Sequence, residues 1–165
     1  MMEIKAFVKW SNFVKGITLF IVFVILIAEY YLVIKFMKSM DIILLFVIIM
    51  IPLILIYYIL QTPISIMLTR DRILLKKIIG KIEIFYDHIQ DIESYKPEIT
   101  EIRVGGSGGF FGHTGSFNNP TIGFYKSYVG NFNQAFLIRT KEGKQYVFSC
   151  ENNDSVINSL KERLN

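Results

Sequence analysis

The sequence predicts an α+β membrane protein: a two-helix transmembrane hairpin, then a β-barrel or orthogonal sandwich of about seven strands capped by a C-terminal helix. Three observations carry this. Between Ile17 and Leu68 the only charges are Glu29, Lys35, Lys38 and Asp41. After Pro63 the continuous apolar character gives way to short runs with period-two alternation, broken by turn residues. Near the end, Val156, Ile157, Leu160 and Leu164 recur at helical spacing. Residues 1–63 are therefore assigned to an N-terminal segment with two membrane helices, about 17–36 and 42–60, and residues 64–165 to a folded domain.

Composition agrees with this division. Of 165 residues, 52% are hydrophobic and 19% charged, and the excess of apolar residues lies in the first part of the chain. The net charge of +4 divides into +2 on residues 1–63 and +2 on the remainder, which argues against nucleic acid as a partner. It licenses a mild attraction to anionic lipid. One cysteine excludes an intramolecular disulfide, and His88 and His113 stand apart from any acidic or cysteine cluster, so no metal and no cofactor is expected.

Ile42–Leu60 reads IILLFVIIMIPLILIYYIL, 19 residues without a charge. At 1.5 Å per residue it crosses most of a ~30 Å hydrocarbon layer. Pro52 is tolerated there as a kink, and Tyr57 and Tyr58 suit an aromatic belt. The first span begins near Ile17, and Trp10, Lys9 and Lys15 read as its interfacial anchor. Lys35 to Asp41 is long enough only for a turn, so both ends of the hairpin lie on one side. Lys5, Lys9, Lys15, Arg70, Arg72, Lys76 and Lys77 flank those ends, against Lys35 and Lys38 at the turn. The positive-inside rule then favours both termini in the cytoplasm for a multi-pass membrane protein. Glu29 is an intramembrane polar residue; snorkelling or pairing within the hairpin is weighed against a role in a transport path.

In the domain, Ile64–Thr69, Ile73–Ile79 and Lys81–Tyr86 read as strands, Asp87–Tyr95 as a turn or short strand, and Ile99–Val104 as a strand. A glycine-rich segment, Gly105 to Gly115, is expected as a loop. Strands Ile122–Val129, Ala135–Thr140 and Gln145–Cys150 follow, the last two joined through Gly143. Cys150 ends an apolar strand as a small buried hydrophobe. Asn153 is a candidate N-cap for the final helix.

This order of features resembles the bacterial pleckstrin-homology-like domains that follow membrane helices. The matching stretches are Ile64–Ile92, Gly105–Tyr128 and Ala135–Leu164. In the second, GGSGGFFGHTGSF precedes an aromatic strand; in the third, LIRTKEGKQYVFS leads to the final helix. The resemblance implies a fold and no settled activity.

The chemistry of an enzyme is not evident. The glycine-rich segment lacks the Gly-Lys-Ser/Thr ending of a P-loop, has Phe111 where G-x-G-x-x-G needs glycine, and gives Ser107 no strand–turn–helix setting. Two readings of it stay open. Its glycines can form a bulge or wide turn with Phe110 and Phe111 folded onto the barrel. Alternatively Gly105, Gly106, Gly108, Gly109, Phe110, Phe111, Gly112 and His113 form a ligand or partner loop, supported by the basic residues Arg103 and Lys126. The phenylalanines would then dip into the bilayer or dock on the hairpin. The expected function is a non-catalytic, membrane-tethered module that binds a protein or peptide at the membrane surface. The alternatives are a structural or regulatory subunit acting through its hairpin, and lipid headgroup binding.

Overall fold

A computed structural model describes residues 4–164 of the chain; residues 1–3 and 165, assigned from sequence to the N-terminal segment and the folded domain, lie outside the described residues. Strand β1 (Ile4–Phe7) leads into helices α1 (Asn12–Ser39) and α2 (Ile42–Leu60). Helix α1 starts at the Ser11 side chain, which accepts a hydrogen bond from the Val14 amide at 3.2 Å. It runs three residues past the expected end, since Met37, Lys38 and Ser39 continue a helix as readily as they form a turn. The connection is thus only Met40, in the left-handed region, and Asp41, which caps α2 through the Ile43 amide at 2.8 Å. Both helices are long and apolar enough to cross a membrane. The first turns of α1 instead lie against the domain, with Val14 and Thr18 buried. Beyond them, Leu19–Ser39 extends about 32 Å alongside about 28 Å of α2, so the two are matched in length.

The domain is a sandwich of two sheets with no closed barrel. It comprises β2 (Pro63–Leu68), β3 (Arg72–Lys77), β4 (Lys81–Phe85), β5 (Ile89–Ser94), β6 (Ile102–Gly109), β7 (Gly112–Asn119), β8 (Gly123–Val129), β9 (Ala135–Thr140), β10 (Gln145–Ser149) and the helix α3 (Asn153–Leu164). One sheet has the order β1-β2-β3-β4 and the other β5-β9-β10-β8-β7-β6. All neighbours are antiparallel except β8 and β10. After the helices there are nine strands among the described residues, against about seven expected. The Asp87–Tyr95 segment resolves into β5, and the glycine-rich run is a β-hairpin, β6–β7, rather than a loop. Glycine's low strand propensity hid it. Strand β1 was unread because four residues ahead of a hydrophobic span carry no local strand signal.

The main core lies between the sheets. Ile66, Leu68, Ile73, Leu75 and Ile84 of the smaller sheet meet Ile92, Phe136, Ile138 and Phe148 of the larger, and Val156, Ile157 and Leu160 of α3 close one end. This is the period-two alternation of β2–β4 and the helical stripe of α3 put to use. A second core, around Tyr95, Phe117, Tyr125, Leu137 and Val147, forms on the other face of the larger sheet. Cys150 is fully buried, and burial pushes its thiol up to about 12.

Candidate functional site

Two features stand out: the tip of the β6–β7 hairpin, where the domain meets the helices, and an open cleft further along β7 and β8, away from that tip. In the hairpin, Gly106 faces Gly115 across the strand pair, with φ of +105° and +128°. A Cβ at Gly106 would fall 2.1 Å from the Thr114 carbonyl oxygen, and one at Gly115 2.2 Å from that of Gly105. Only glycine permits so close a ribbon.

The tip residues Phe110 and Phe111 dock where the two apolar helices meet the domain. Phe111 stands edge-on to Trp10 at 5.9 Å, and Phe110 edge-on to Tyr58 at 5.8 Å. The Thr18 hydroxyl of α1 accepts from the Phe111 amide at 3.0 Å and donates to the Gly109 carbonyl at 3.4 Å. From the end of α2, Thr62 reaches the Phe111 carbonyl at 3.5 Å. Phe111 is held at φ +56°, costly for a bulky side chain and retained because these contacts over-determine it. His113 stacks on Phe13 of α1 at 6.4 Å and lies 4.5 Å from Phe132; burial lowers its pKa, so the ring is neutral at neutral pH.

Of the residues singled out from sequence, Gly109, Phe110, Phe111, Gly112 and His113 thus gather at the tip against α1 and α2. Gly105, Gly106 and Gly108 lie further along the ribbon, with Arg103 beside Gly108 on its exposed face. Lys126 is elsewhere, on β8. Glu29 is half-buried on α1, and its Oε1 is buried without a hydrogen-bond partner among the described residues.

The cleft arises because the smaller sheet is narrower than the larger. It covers β5, β9 and β10 and leaves β8 and β7 open on that side. A cavity of about 470 Å³ results, lined by Ser116, Phe124, Lys126, Lys144 and Tyr146. A smaller one of about 260 Å³ adjoins it across Tyr146 and Lys144, bounded by Glu83, Ile84 and Phe85 of β4. Strand β4 ends its sheet, so its outer backbone groups face this space. Phe124 is 69% exposed. Sequence reasoning named Lys126 but missed the cleft, which depends on how far one sheet overlaps the other.

A buried polar cluster was also missed. The Glu101 carboxylate accepts from the hydroxyls of Tyr95, at 2.5 Å, and Tyr125, and from Asn119 at 3.4 Å. Desolvation, and then the hydrogen bonds to Glu101, hold both tyrosines well above their usual pKa. The cluster pins the 95–101 segment over the second core.

Residues 64–164 match the family model described as Bacterial PH domain. No curated protein and no solved structure matches the chain.

Proposed function

This chain belongs to the bacterial PH domain family, and we propose that it is a membrane-tethered binding module that holds an extended segment of a partner protein in the cleft beside β4. The hairpin spans the cytoplasmic membrane with both termini in the cytoplasm, where the lysines flanking its open ends favour them. Catalysis forms no part of this reading. The observation that carries it is the cleft itself: an exposed aromatic floor of Phe124 and Tyr146, two lysines, and a free strand edge. Such an edge accepts an added strand through main-chain hydrogen bonds, while side-chain pockets select sequence. Lys126 offers a cation to an acidic side chain of that segment, while Lys144 is paired with Glu142 at 2.8 Å at the cleft's other side. Tethering raises the local concentration of a membrane-bound partner, so modest affinity suffices.

A photo-crosslinking side chain at Phe124, in intact cells, is expected to capture a discrete protein. That protein, once purified, should bind the full chain in micelles about tenfold more weakly after Lys126→Glu, a loss of about 1.4 kcal/mol. Capture of lipid alone, or an affinity unchanged by Lys126→Glu and by Phe124→Ala, would refute the proposal.

A second reading makes the hairpin the contact with a membrane complex. The unpartnered Glu29 oxygen favours it. Replacing α1 beyond Thr18 and α2 with an unrelated hairpin would abolish activity on this reading and preserve it on the first.

A further inference from the structure

We infer that the turn between β3 and β4 is a second membrane contact, its two isoleucines seated in the acyl–headgroup boundary and its lysines on anionic lipid phosphates. This rests on the reading of α1 and α2 as a spanning hairpin. The turn, Ile78-Ile79-Gly80, presents side chains that are 44% and 61% exposed and belong to neither core. A tight turn facing water ordinarily carries polar residues.

Its height is set by backbone bonds to the end of α2. The Ile79 amide donates to the carbonyl of Leu60, the last helical residue, at 3.1 Å, and the Ile78 amide donates to that of Thr62 at 3.0 Å. Lys77 Nζ donates to Gln61 Oε1, between them, at 2.6 Å. The isoleucines therefore lie level with the end of the apolar span, within about one helical turn of Tyr57 and Tyr58 along α2. A bilayer that covers α2 reaches them without a further change of shape.

Charge points the same way. Lys76 and Lys81 are directly opposed across the β3–β4 ladder, with Lys77 beside them. Like charges in that position repel in water, and Lys81 offsets this only by pairing with Glu83 at 2.5 Å. Against anionic headgroups Lys76 is placed favourably, and Lys77 and Lys81 can exchange their bonds to Gln61 and Glu83 for lipid phosphate, their stems along the apolar boundary. An apolar tip ringed by lysines is the composition of a bilayer-surface contact.

The test places an environment-sensitive fluorophore on Ile79→Cys of the full chain, reconstituted into phosphatidylethanolamine–phosphatidylglycerol vesicles. Cys150, fully buried with its thiol pushed up to about 12, stays unlabelled at neutral pH. Reference labels stand at Phe20→Cys in α1 and at Lys161→Cys on the exposed face of α3. At position 79 the emission is expected to shift to the blue and to be quenched by shallow spin-labelled lipid, unlike that at 161. Lys76→Glu with Lys81→Glu should weaken quenching at 79 and leave it unchanged at 20. Quenching at 20 with a water-like signal at 79 would overturn the inference and leave the spanning hairpin standing. No quenching at 20 would overturn the spanning hairpin and the inference together.

Discussion

Adding one methyl group at Gly130 should detach the N-terminal segment from the domain. Gly130 lies where that segment crosses the larger sheet: its carbonyl accepts the Ser11 amide at 2.9 Å, and its amide donates to Ser149 Oγ at 2.9 Å. A Cβ there would stand 2.6 Å from the Lys9 carbonyl oxygen and 2.9 Å from Val8 Cγ1. Its φ is not in the left-handed region, so the effect of Gly130→Ala is purely one of space. Restoring ordinary contact requires the crossing to open by roughly 0.7 Å, an overpacking cost of about 1–3 kcal/mol. Loss of the Ser11 bond adds about 1 kcal/mol and loosens the N-cap of α1. Together they give about 2–4 kcal/mol, or a fall in Tm of roughly 10 °C for a domain of this size. Thermal unfolding of the full chain in micelles measures this, and amide exchange at Val8 and Ser11 locates it. A Tm within about 2 °C of the parent, or exchange unchanged at those amides, would refute the argument.

Three further outcomes are expected. Thr18→Val removes both hydrogen bonds that hold the Phe110–Phe111 tip to α1; stability should fall by about 1–3 kcal/mol, with faster exchange at the Phe111 amide. His113 is neutral in the folded state and its pKa is lowered by burial, so the unfolded chain takes up protons first as pH falls. Stability should therefore be intact above the ordinary value of 6.5 and decline below it, and His113→Phe should flatten the profile followed by denaturant unfolding between pH 5 and 7.5. Glu101→Gln removes the carboxylate that helps hold Tyr95 and Tyr125 in their neutral forms; an ultraviolet titration should find them ionising at lower pH than in the parent.

What could be read from sequence follows how local the signal is. The bounds of α2 were readable because Ile42 to Leu60 carries no charge over a length that matches the hydrocarbon layer, with Asp41 before it and Gln61 after. The strands β2–β4 and the stripe of α3 were readable because each buries one face in the main core, whereas β9 and β10, buried on both faces between the two cores, showed as runs of aromatic and β-branched residues. Phe110 and Phe111 drew notice through their glycine setting, yet their docking on Trp10 and Tyr58 depends on residues about fifty to a hundred positions away. The same distance hid the Glu101 cluster: Tyr125 is 24 positions from its acceptor, and nothing near Glu101 marks it as other than a solvated acid. The cleft was less accessible still, since it is made by the absence of a covering strand over β7 and β8.

The pairing of β1 with β2 bears on how the molecule is made. Ile4 pairs with Leu68 and Phe7 with Ser65, so the entire helical hairpin is an excursion within one two-stranded ladder. During synthesis β1 leaves the ribosome before β2 and has no partner until both helices have been made and the chain has returned. Because loop-closure cost grows only slowly with length, the long excursion is no obstacle once its ends are side by side. Their being side by side is what the return of α2 alongside α1 provides. A chain whose second helix fails to return leaves β2 away from β1, and the smaller sheet one strand short with an open edge. Completion of the sheet therefore reports that the hairpin has closed, and an unpaired edge marks those chains in which it has not.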